Sequence, residues 1–458
     1  MQRREFLHNT LALGAGMLPG TGVPTEWETG VLAKWAIEPL MPIWEAAVGG
    51  HWNIVKEWLR RDPSLINVTG NAVLPEMLRY ENVHESGNLT LLHLASAYHP
   101  DVGLLEYLIS LGSDVHALTE QKETPLCYAA TCNSNVEVLK YLVSQGADVH
   151  ATFEISTTLL QGAAKWNSNV EVLKYLVSQG VDVNAKYIFG GAPLHEAARN
   201  NANVEVLRYL ISQGADVNEE DGFYTTPLHY AASGNSEEIV LYLISQGADV
   251  NVKGNFDYTP LHNAASCNPN VEVLQCLVSH GADVHAKSSL FGETPLHCAA
   301  AHNSNVDVLK YLVSQGADVH AKTYANRSPL FYATGNFNVA ILEYLIALGA
   351  DVNEKSNRDW TPLHQAAEYC PSVAILEYLV SKGADVNAKD DEGKTPLDVA
   401  NTEEKKCFLR EAIDLLERAM GETISQEEVE EMLFNDGDHP VIKETTITFT
   451  KGETNDTQ

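Results

Sequence analysis

The sequence predicts an all-α solenoid, which is a stack of helix pairs joined by projecting β-hairpin loops. A phrase built on Thr-Pro-Leu-His-x-Ala-Ala recurs at a period of about 34 residues, and a second phrase rich in Val and Leu follows each copy. The chain has 458 residues, of which 45% are hydrophobic but only 8% are aromatic. That balance suits thin helical layers better than one thick core.

The leucine of the first phrase marks its copies along the chain. These leucines are Leu92, Leu126, Leu160, Leu194, Leu228, Leu261, Leu296, Leu330, Leu363 and Leu397. A further unit precedes them at residues 43–55, and its separation from Leu92 exceeds the period by about 15 residues. We expect this surplus, around residues 68–85, to form a long loop or an irregular helix.

Each part of the repeat has a physical reason. Thr294 can cap the first helix, and Pro295 suits its first turn, where a missing N–H costs nothing. In the second helix, Val306, Leu309, Leu312 and Val313 form one apolar stripe. Gly316 then follows at the position that favours a left-handed backbone and ends a helix. The remaining residues before the next Thr-Pro predict an outstretched hairpin.

These phrases resemble the ankyrin-repeat family, whose unit is a β-turn plus two helices. The resemblance covers about residues 42–420 and implies 11 helix pairs. It also implies that the phrase histidines are structural, and that hairpin tips and inner helices form a concave surface for a protein partner. Residues 421–458 hold ten acidic and two basic residues, and we interpret them as an acidic flexible tail.

The first 30 residues are interpreted as an export signal and linker. Arg3-Arg4-Glu-Phe6-Leu7 precedes a short, weakly apolar stretch and resembles a bacterial twin-arginine (Tat) signal peptide. If this interpretation holds, the protein is periplasmic or secreted. The alternative is an ordinary N-terminus in a cytoplasmic protein.

Charge and cysteine content exclude several classes of function. The net charge is −31, from 61 acidic and 30 basic residues, so nucleic acid is not expected as a partner. Seven cysteines are scattered without metal-like spacing and imply no disulfide framework. No apolar run reaches the length of a membrane span. We expect a monomer whose partner is another protein.

The sequence contains no recognisable catalytic or metal site. Seventeen histidines invite a metal interpretation, but repetition accounts for those in the phrase and for His116, His150, His285 and His320, which stand where other repeats have Asn. His195-Glu196 begins like a zinc-protease helix, but Arg199 occupies the place of the second histidine. We therefore expect no enzyme activity, no metal and no cofactor.

The candidate partner-binding residues are aromatic side chains of the hairpins and of the adjoining inner helices. Rings far from a core are not needed for packing, and exposed rings are typical interface anchors. An alternative stays open, in which the rings stack on neighbouring hairpins and only stiffen the row. The candidates are Phe153, Trp166, Tyr187, Phe189, Phe223, Tyr224, Phe256, Tyr258, Phe291, Tyr324, Trp360 and Tyr369.

Three hypotheses for function follow from these features. The first is a scaffold that binds one protein partner through the concave surface. The second is an exported effector or inhibitor that acts on a foreign protein. The third, an enzyme or cofactor carrier, is suggested only by the export signal, because many twin-arginine substrates hold cofactors.

The export hypothesis predicts that Arg3 and Arg4 direct residues 1–40 through a twin-arginine pathway. A reporter fused to this segment should be exported from a bacterium that has the pathway. Changing both Arg3→Lys and Arg4→Lys should abolish export, because the twin guanidinium pair is the recognised feature. Unchanged export of the double variant would contradict the hypothesis.

Overall fold

The structure is a computed structural model that describes residues 42–72, 86–153, 157–370 and 372–421. These residues form 22 α-helices, arranged as 11 helix pairs, together with four short strands. The all-α solenoid predicted from the sequence is confirmed. The predicted export signal and the acidic tail from residue 422 lie outside the described residues.

The chain divides into two compact units at Val68 and Thr69. The first contains α1 (Ile43–Val48), α2 (Trp52–Arg61) and a 3-10 helix (Pro63–Asn67). The second opens with β1 (Thr69–Ala72), which pairs antiparallel with β2 (Ser86–Thr90). The predicted loop or irregular helix of residues 68–85 is therefore wrong at its start, where residues 69–72 form a strand instead. Residues 73–85, between the strands, lie outside the described residues.

The second unit repeats one helix pair ten times. Its first helices are α3 (Leu91–Tyr98), α5 (Pro125–Cys132), α7 (Leu159–Trp166), α9 (Pro193–Asn200), α11 (Pro227–Gly234), α13 (Pro260–Cys267), α15 (Pro295–His302), α17 (Pro329–Ala333), α19 (Pro362–Tyr369) and α21 (Pro396–Val399). Its second helices are α4 (Val102–Ser110), α6 (Val136–Ser144), α8 (Val170–Ser178), α10 (Val204–Ser212), α12 (Glu237–Ser245), α14 (Val271–Ser279), α16 (Val306–Ser314), α18 (Val339–Ala347), α20 (Val373–Ser381) and α22 (Glu403–Gly421). A further strand pair, β3 (Thr152–Phe153) and β4 (Thr157–Thr158), precedes α7.

First helices pack on first helices, and second helices pack on second helices, along the unit. Ala299 and Ala300 are fully buried, so their small side chains allow α15 a close approach to its neighbours. The buried stripe of α16 is Val308, Leu309 and Leu312. The predicted stripe is thus partly wrong, because Val306 and Val313 are only half-buried.

The helix ends fall where the sequence predicts, although the Thr294 side chain makes no capping hydrogen bond to an N–H of α15. Pro295 is the first residue of α15, directly after Thr294. In the second helix of that repeat, the Asn305 side chain accepts from the backbone N–H of Asp307 at 3.0 Å. Gly316 follows with φ of 94°, a conformation in which a Cβ would be strained.

An asparagine ladder joins consecutive repeats beyond the first helices. The Asn167 Nδ2 donates to the Ala130 and Asn133 carbonyls of the preceding repeat, both at 2.9 Å. Equivalent pairs of bonds repeat along the unit, so that buried carbonyls at the helix ends are satisfied. The ladder residues are Asn133, Asn167, Asn201, Asn235, Asn268, Asn303 and Asn336. At the end of the unit, the buried Lys405 donates its Nζ to the Ala367 carbonyl at 2.9 Å.

A second set of bonds distinguishes Asn from His in the loops that follow the second helices. The Asn251 Nδ2 donates to the Gly281 carbonyl at 2.8 Å, and Asn353 makes the same bond to Gly383 at 2.9 Å. In the described residues, no such bond is made where His stands at this position, as in His285 and His320. The His copies therefore give up one connection between repeats.

The phrase histidines are structural. In the repeat of α13, His262 Nδ1 accepts from the Thr259 backbone N–H at 3.1 Å, and its Nε2 lies 3.1 Å from the Glu293 carbonyl. One nitrogen accepts and the other donates, which fixes the neutral ring. Burial accordingly lowers the pKa of His93, His262 and His297 to about 4.

These lowered pKa values predict that the free energy of unfolding falls in acid. The neutral rings stabilise the fold fully above pH 6.5, the ordinary pKa of histidine, and this stability is lost as the pH falls towards about 4. Gln161 occupies the same position in another repeat, where it accepts from the Thr158 N–H and donates to Gly191 without titrating. His262→Gln should therefore reduce the loss of melting temperature between pH 6.5 and 4.5. An acid profile as steep as that of wild type would contradict this assignment.

Candidate protein-binding face

Most described hairpin tips are five-residue turns closed by one backbone hydrogen bond, and the tip at residues 288–293 has one residue more. The Asp221 N–H donates to the Thr225 carbonyl at 3.1 Å, and Gly254 donates to Tyr258 at 2.8 Å. The fourth residue of the turn has a positive φ, as at Gly190, Asn326 and Gly393. The geometry therefore favours Gly or Asn at this position.

Backbone bonds also connect many neighbouring tips. The Gly222 N–H donates to the Phe189 carbonyl at 2.7 Å, and the Tyr324 N–H donates to the Phe291 carbonyl at 2.8 Å. Side chains at the third turn position are thereby placed beside one another along the unit. Phe189 and Phe223 stack with ring centroids 6.1 Å apart and an interplanar angle of 28°.

Phe153 is not a surface anchor, contrary to the sequence-based prediction. Its side chain is 2% exposed. The reason is Gly162 in α7, where an added Cβ would lie 3.0 Å from Phe153 Cζ. The glycine leaves a space in the helix face, and the ring fills it. Phe153 is therefore part of the core and is removed from the candidate face.

Three other candidates are half-buried and bound to their neighbours. The Tyr258 hydroxyl donates to the Glu293 carboxylate of the next hairpin. Trp360 Nε1 donates to Asp390 Oδ2 at 3.1 Å, also in the next hairpin. The Tyr187 ring lies over Gly191, since a Cβ there would be 2.3 Å from its Cε1. For Tyr258 and Trp360 the structure favours the stiffening role that the sequence left open, whereas Tyr187 packs within its own hairpin.

Trp166 and Tyr369 end first helices beside the hairpins. Trp166 is half-buried, with the Lys165 ammonium 5.0 Å from the centroid of its ring. Tyr369 is exposed and lies 6.2 Å from Trp360, centroid to centroid. Helix ends and hairpin tips therefore share one face.

The remaining candidates are exposed and occupy consecutive hairpins. Phe223 is 52% exposed, Phe256 is 49% exposed and Phe291 is 52% exposed. Sequence reasoning missed two aliphatic neighbours, Ile188 and Leu290, although each directly precedes a predicted ring. We call the combined set the aromatic ridge: Ile188, Phe189, Phe223, Tyr224, Phe256, Leu290, Phe291 and Tyr324.

Two ridge residues adopt a backbone conformation that suits glycine better than an aromatic residue. Tyr224 has φ of 59° and is the one aromatic residue at the fourth position of the described five-residue turns, where the others have Gly, Asn, Asp or Lys. Phe256 has φ of 54° and is followed by Asp257 at 60°. Such residues cost on the order of 1–3 kcal/mol each and concentrate at functional sites.

Metal sites, membrane-spanning helices and disulfides were each considered within the described residues. Among them, no group of three or more His, Cys, Asp or Glu side chains is placed to hold a metal ion. No helix within these residues is long and apolar enough to cross a membrane. The seven cysteines all lie in this part of the chain and are free thiols.

Comparison with known proteins agrees with this architecture. The family described as "Ankyrin repeats (3 copies)" matches residues 43–153, 159–254, 251–323 and 330–410. The chain therefore belongs to the ankyrin-repeat family. No curated protein gives a significant match. A similar solved structure is the crystal structure of the human ASB11 ankyrin repeat domain, at 26% identity and a TM-score of 0.43. The match covers 50% of this chain and 98% of that chain.

The strain at Tyr224 predicts a stabilising substitution. Tyr224→Asn should raise the melting temperature, because Asn adopts a positive φ at less cost than Tyr. The expected gain in the free energy of unfolding is about 1 kcal/mol. The matched control is Asn326→Tyr, which places an aromatic residue at the same turn position three hairpins further along and should lower the melting temperature. Equal melting temperatures for Tyr224→Asn and wild type would show that the turn is not strained.

Proposed function

We propose that this protein is an interaction scaffold and that its aromatic ridge binds a protein partner. Ankyrin repeats generally mediate protein–protein interaction, and the chain belongs to that family. The observation that carries the proposal is the exposure of large side chains on consecutive hairpins, two of them in costly backbone conformations. An apolar surface held at such a cost is typical of a binding site.

The composition of the hairpin tips supports the same proposal. Residues 187–191 and 288–292 contain no charged side chain, in a chain whose net charge is −31. The centres of protein interfaces are depleted of charge and enriched in Tyr, Trp and Phe. A partner that places apolar side chains between these rings would remove the rings from water. Each fully buried ring would contribute about 1.5–3 kcal/mol of favourable binding free energy.

The exported-effector alternative uses the same ridge on a foreign target. It rests on the Arg3-Arg4 pattern, which lies outside the described residues. We therefore propose a periplasmic or secreted location if the Arg3-Arg4 segment is a twin-arginine signal. If it is not, we propose a cytoplasmic location.

Ridge substitutions should weaken partner binding more than folding. The partner is first isolated by affinity capture on the full wild-type chain. Phe223→Ala, Phe256→Ala and Phe291→Ala should then each lose roughly 2 kcal/mol of binding free energy, measured by calorimetry. Their melting temperatures should change little, because these rings are half exposed.

Phe153→Ala is the matched control, because the same ring is deleted from a buried hairpin position. It should lower the melting temperature strongly, since deleting a buried Phe costs about 3–5 kcal/mol. At a temperature where it is folded, it should bind the partner as wild type does. If the three ridge variants bind as tightly as wild type, the ridge is not the site, and residues 421–458 are the next candidate.

A further inference from the structure

The first helix α17 is shorter than the first helices of the repeats before and after it. The helix α17 has five residues, whereas α15 before it and α19 after it each have eight. The chain turns at Thr334-Gly335 instead of continuing the helix. An open depression of about 250 Å³ lies here, which we call the α17 notch. Its lining is Ala301, His302, Arg327, Phe331, Tyr332, Gly335 and Gln365.

The α17 notch contains two buried polar atoms without a hydrogen-bond partner. These atoms are Arg327 Nε, a donor, and Gln365 Oε1, an acceptor. A buried unpaired polar group costs about 1–3 kcal/mol, so most are paired in native proteins. Two in one depression therefore indicate a site that is completed by a ligand.

The backbone of Arg327 is held firmly. Its N–H donates to Thr323 Oγ1 at 3.2 Å, and its carbonyl lies 3.1 Å from His297 Nε2. The guanidinium carbon lies 5.9 Å from the ring centroid of the buried Phe331. Among the described residues, no carboxylate forms an ion pair with this guanidinium, although Lys165, Lys322 and Lys394 each have one.

The repeat that forms the α17 notch departs from the recurring phrase. Phe331 stands where six repeats have the capping His and where three others have Cys127, Gln161 or Asp398, so it is the one aromatic hydrocarbon ring at this position, and Ser328 stands where most have Thr. The ring nitrogens that connect repeats elsewhere are therefore absent at this point. Departures from a locally consistent pattern are expected at functional sites.

We propose that the α17 notch binds a carboxylate side chain, Asp or Glu, of the partner segment that contacts the ridge. When the Arg327 guanidinium turns into the notch, its Nε–H, which is covered in the free protein, donates to one carboxylate oxygen in a charge-assisted bond. The Gln365 amide turns to present its Nε2, and this breaks no hydrogen bond because Oε1 has none. His302 lies at the rim, where it can also donate.

Carboxylates of the protein itself lie on both sides of the α17 notch, and on the α15 side Glu293 already bonds the hydroxyls of Tyr258 and of the lining residue Tyr332. Arg327 also lines a neighbouring depression that contains Glu368, Asp390, Asp391, Glu392 and Asp398. Asp390 is already bonded to Trp360, Glu392 to Lys394, and Asp398 to Thr395. The α17 notch has no acidic lining residue, so an incoming carboxylate meets the guanidinium from the side of α15.

The test is a titration of the ¹⁵N-labelled full chain that follows the Arg Nε–Hε signals by NMR. The probes are the peptides acetyl-Ala-Glu-Ala-amide and acetyl-Ala-Gln-Ala-amide, which differ in the charge of one side chain. Arg327→Lys assigns the Arg327 signal by its loss. We expect that signal to shift saturably with the Glu peptide, and the Gln peptide to bind at least about tenfold more weakly. An equal response to both peptides, or no response, overturns the proposal.

Two variants distinguish binding in the α17 notch from non-specific electrostatic attraction between the peptide and the protein. Gly335→Leu should abolish the shift by filling the depression, and it should fold, because an added Cβ meets only the Tyr332 carbonyl oxygen at 3.6 Å. Arg358→Gln, in the next hairpin and outside the α17 notch, should leave the shift unchanged. A shift that survives in Gly335→Leu, or disappears in Arg358→Gln, contradicts the assignment.

The proposal rests on the proposed function, because a bound partner supplies the carboxylate. The two can fail separately. The peptide titration needs no partner, and the ridge variants leave Arg327 and Gln365 in place. If only the peptide response is absent, the proposal for the α17 notch is contradicted and the proposal for the ridge still stands.

Discussion

Side-chain donors that bind backbone carbonyls of the adjacent repeat hold this structure together. The asparagine ladder closes the carbonyl ends of the first helices from α3 to α15, and the phrase imidazoles connect six first helices to the following hairpin. Burying a carbonyl without a partner is costly, so each repeat can adopt only the register in which these bonds form. The ladder is also complete after α11 and α17, where Asn235 and Asn336 donate the same bonds to the preceding repeat.

The ridge depends on this register. Most hairpins are anchored at their base by an imidazole or amide of the preceding first helix and, at most tips, by a backbone bond to the neighbouring hairpin. Such support allows Tyr224 and Phe256 to remain in backbone conformations that an isolated loop would abandon. The proposed binding surface is thus organised before any partner arrives, and such pre-organisation lowers the entropic cost of binding.

Repetition made the fold predictable from the sequence, whereas the site was predictable only in part. The period, the caps and the helix-ending glycines each follow from local chemistry, and the 11 helix pairs occur as expected. Whether a hairpin ring is exposed depends on contacts with the adjacent repeat, which the period does not reveal. Phe153 is buried because Gly162 makes room for it, and Trp360 is held by Asp390 of the next hairpin.

The central claim is that the ridge, and not the second helices, contacts the partner. Hydrogen–deuterium exchange of the full chain with and without the captured partner tests it most directly. The account predicts that the partner slows exchange in the hairpins around Phe189, Phe223, Phe256 and Phe291, with no change in α8, α10, α12 and α14. Slowed exchange in those second helices, with the hairpins unchanged, would contradict it.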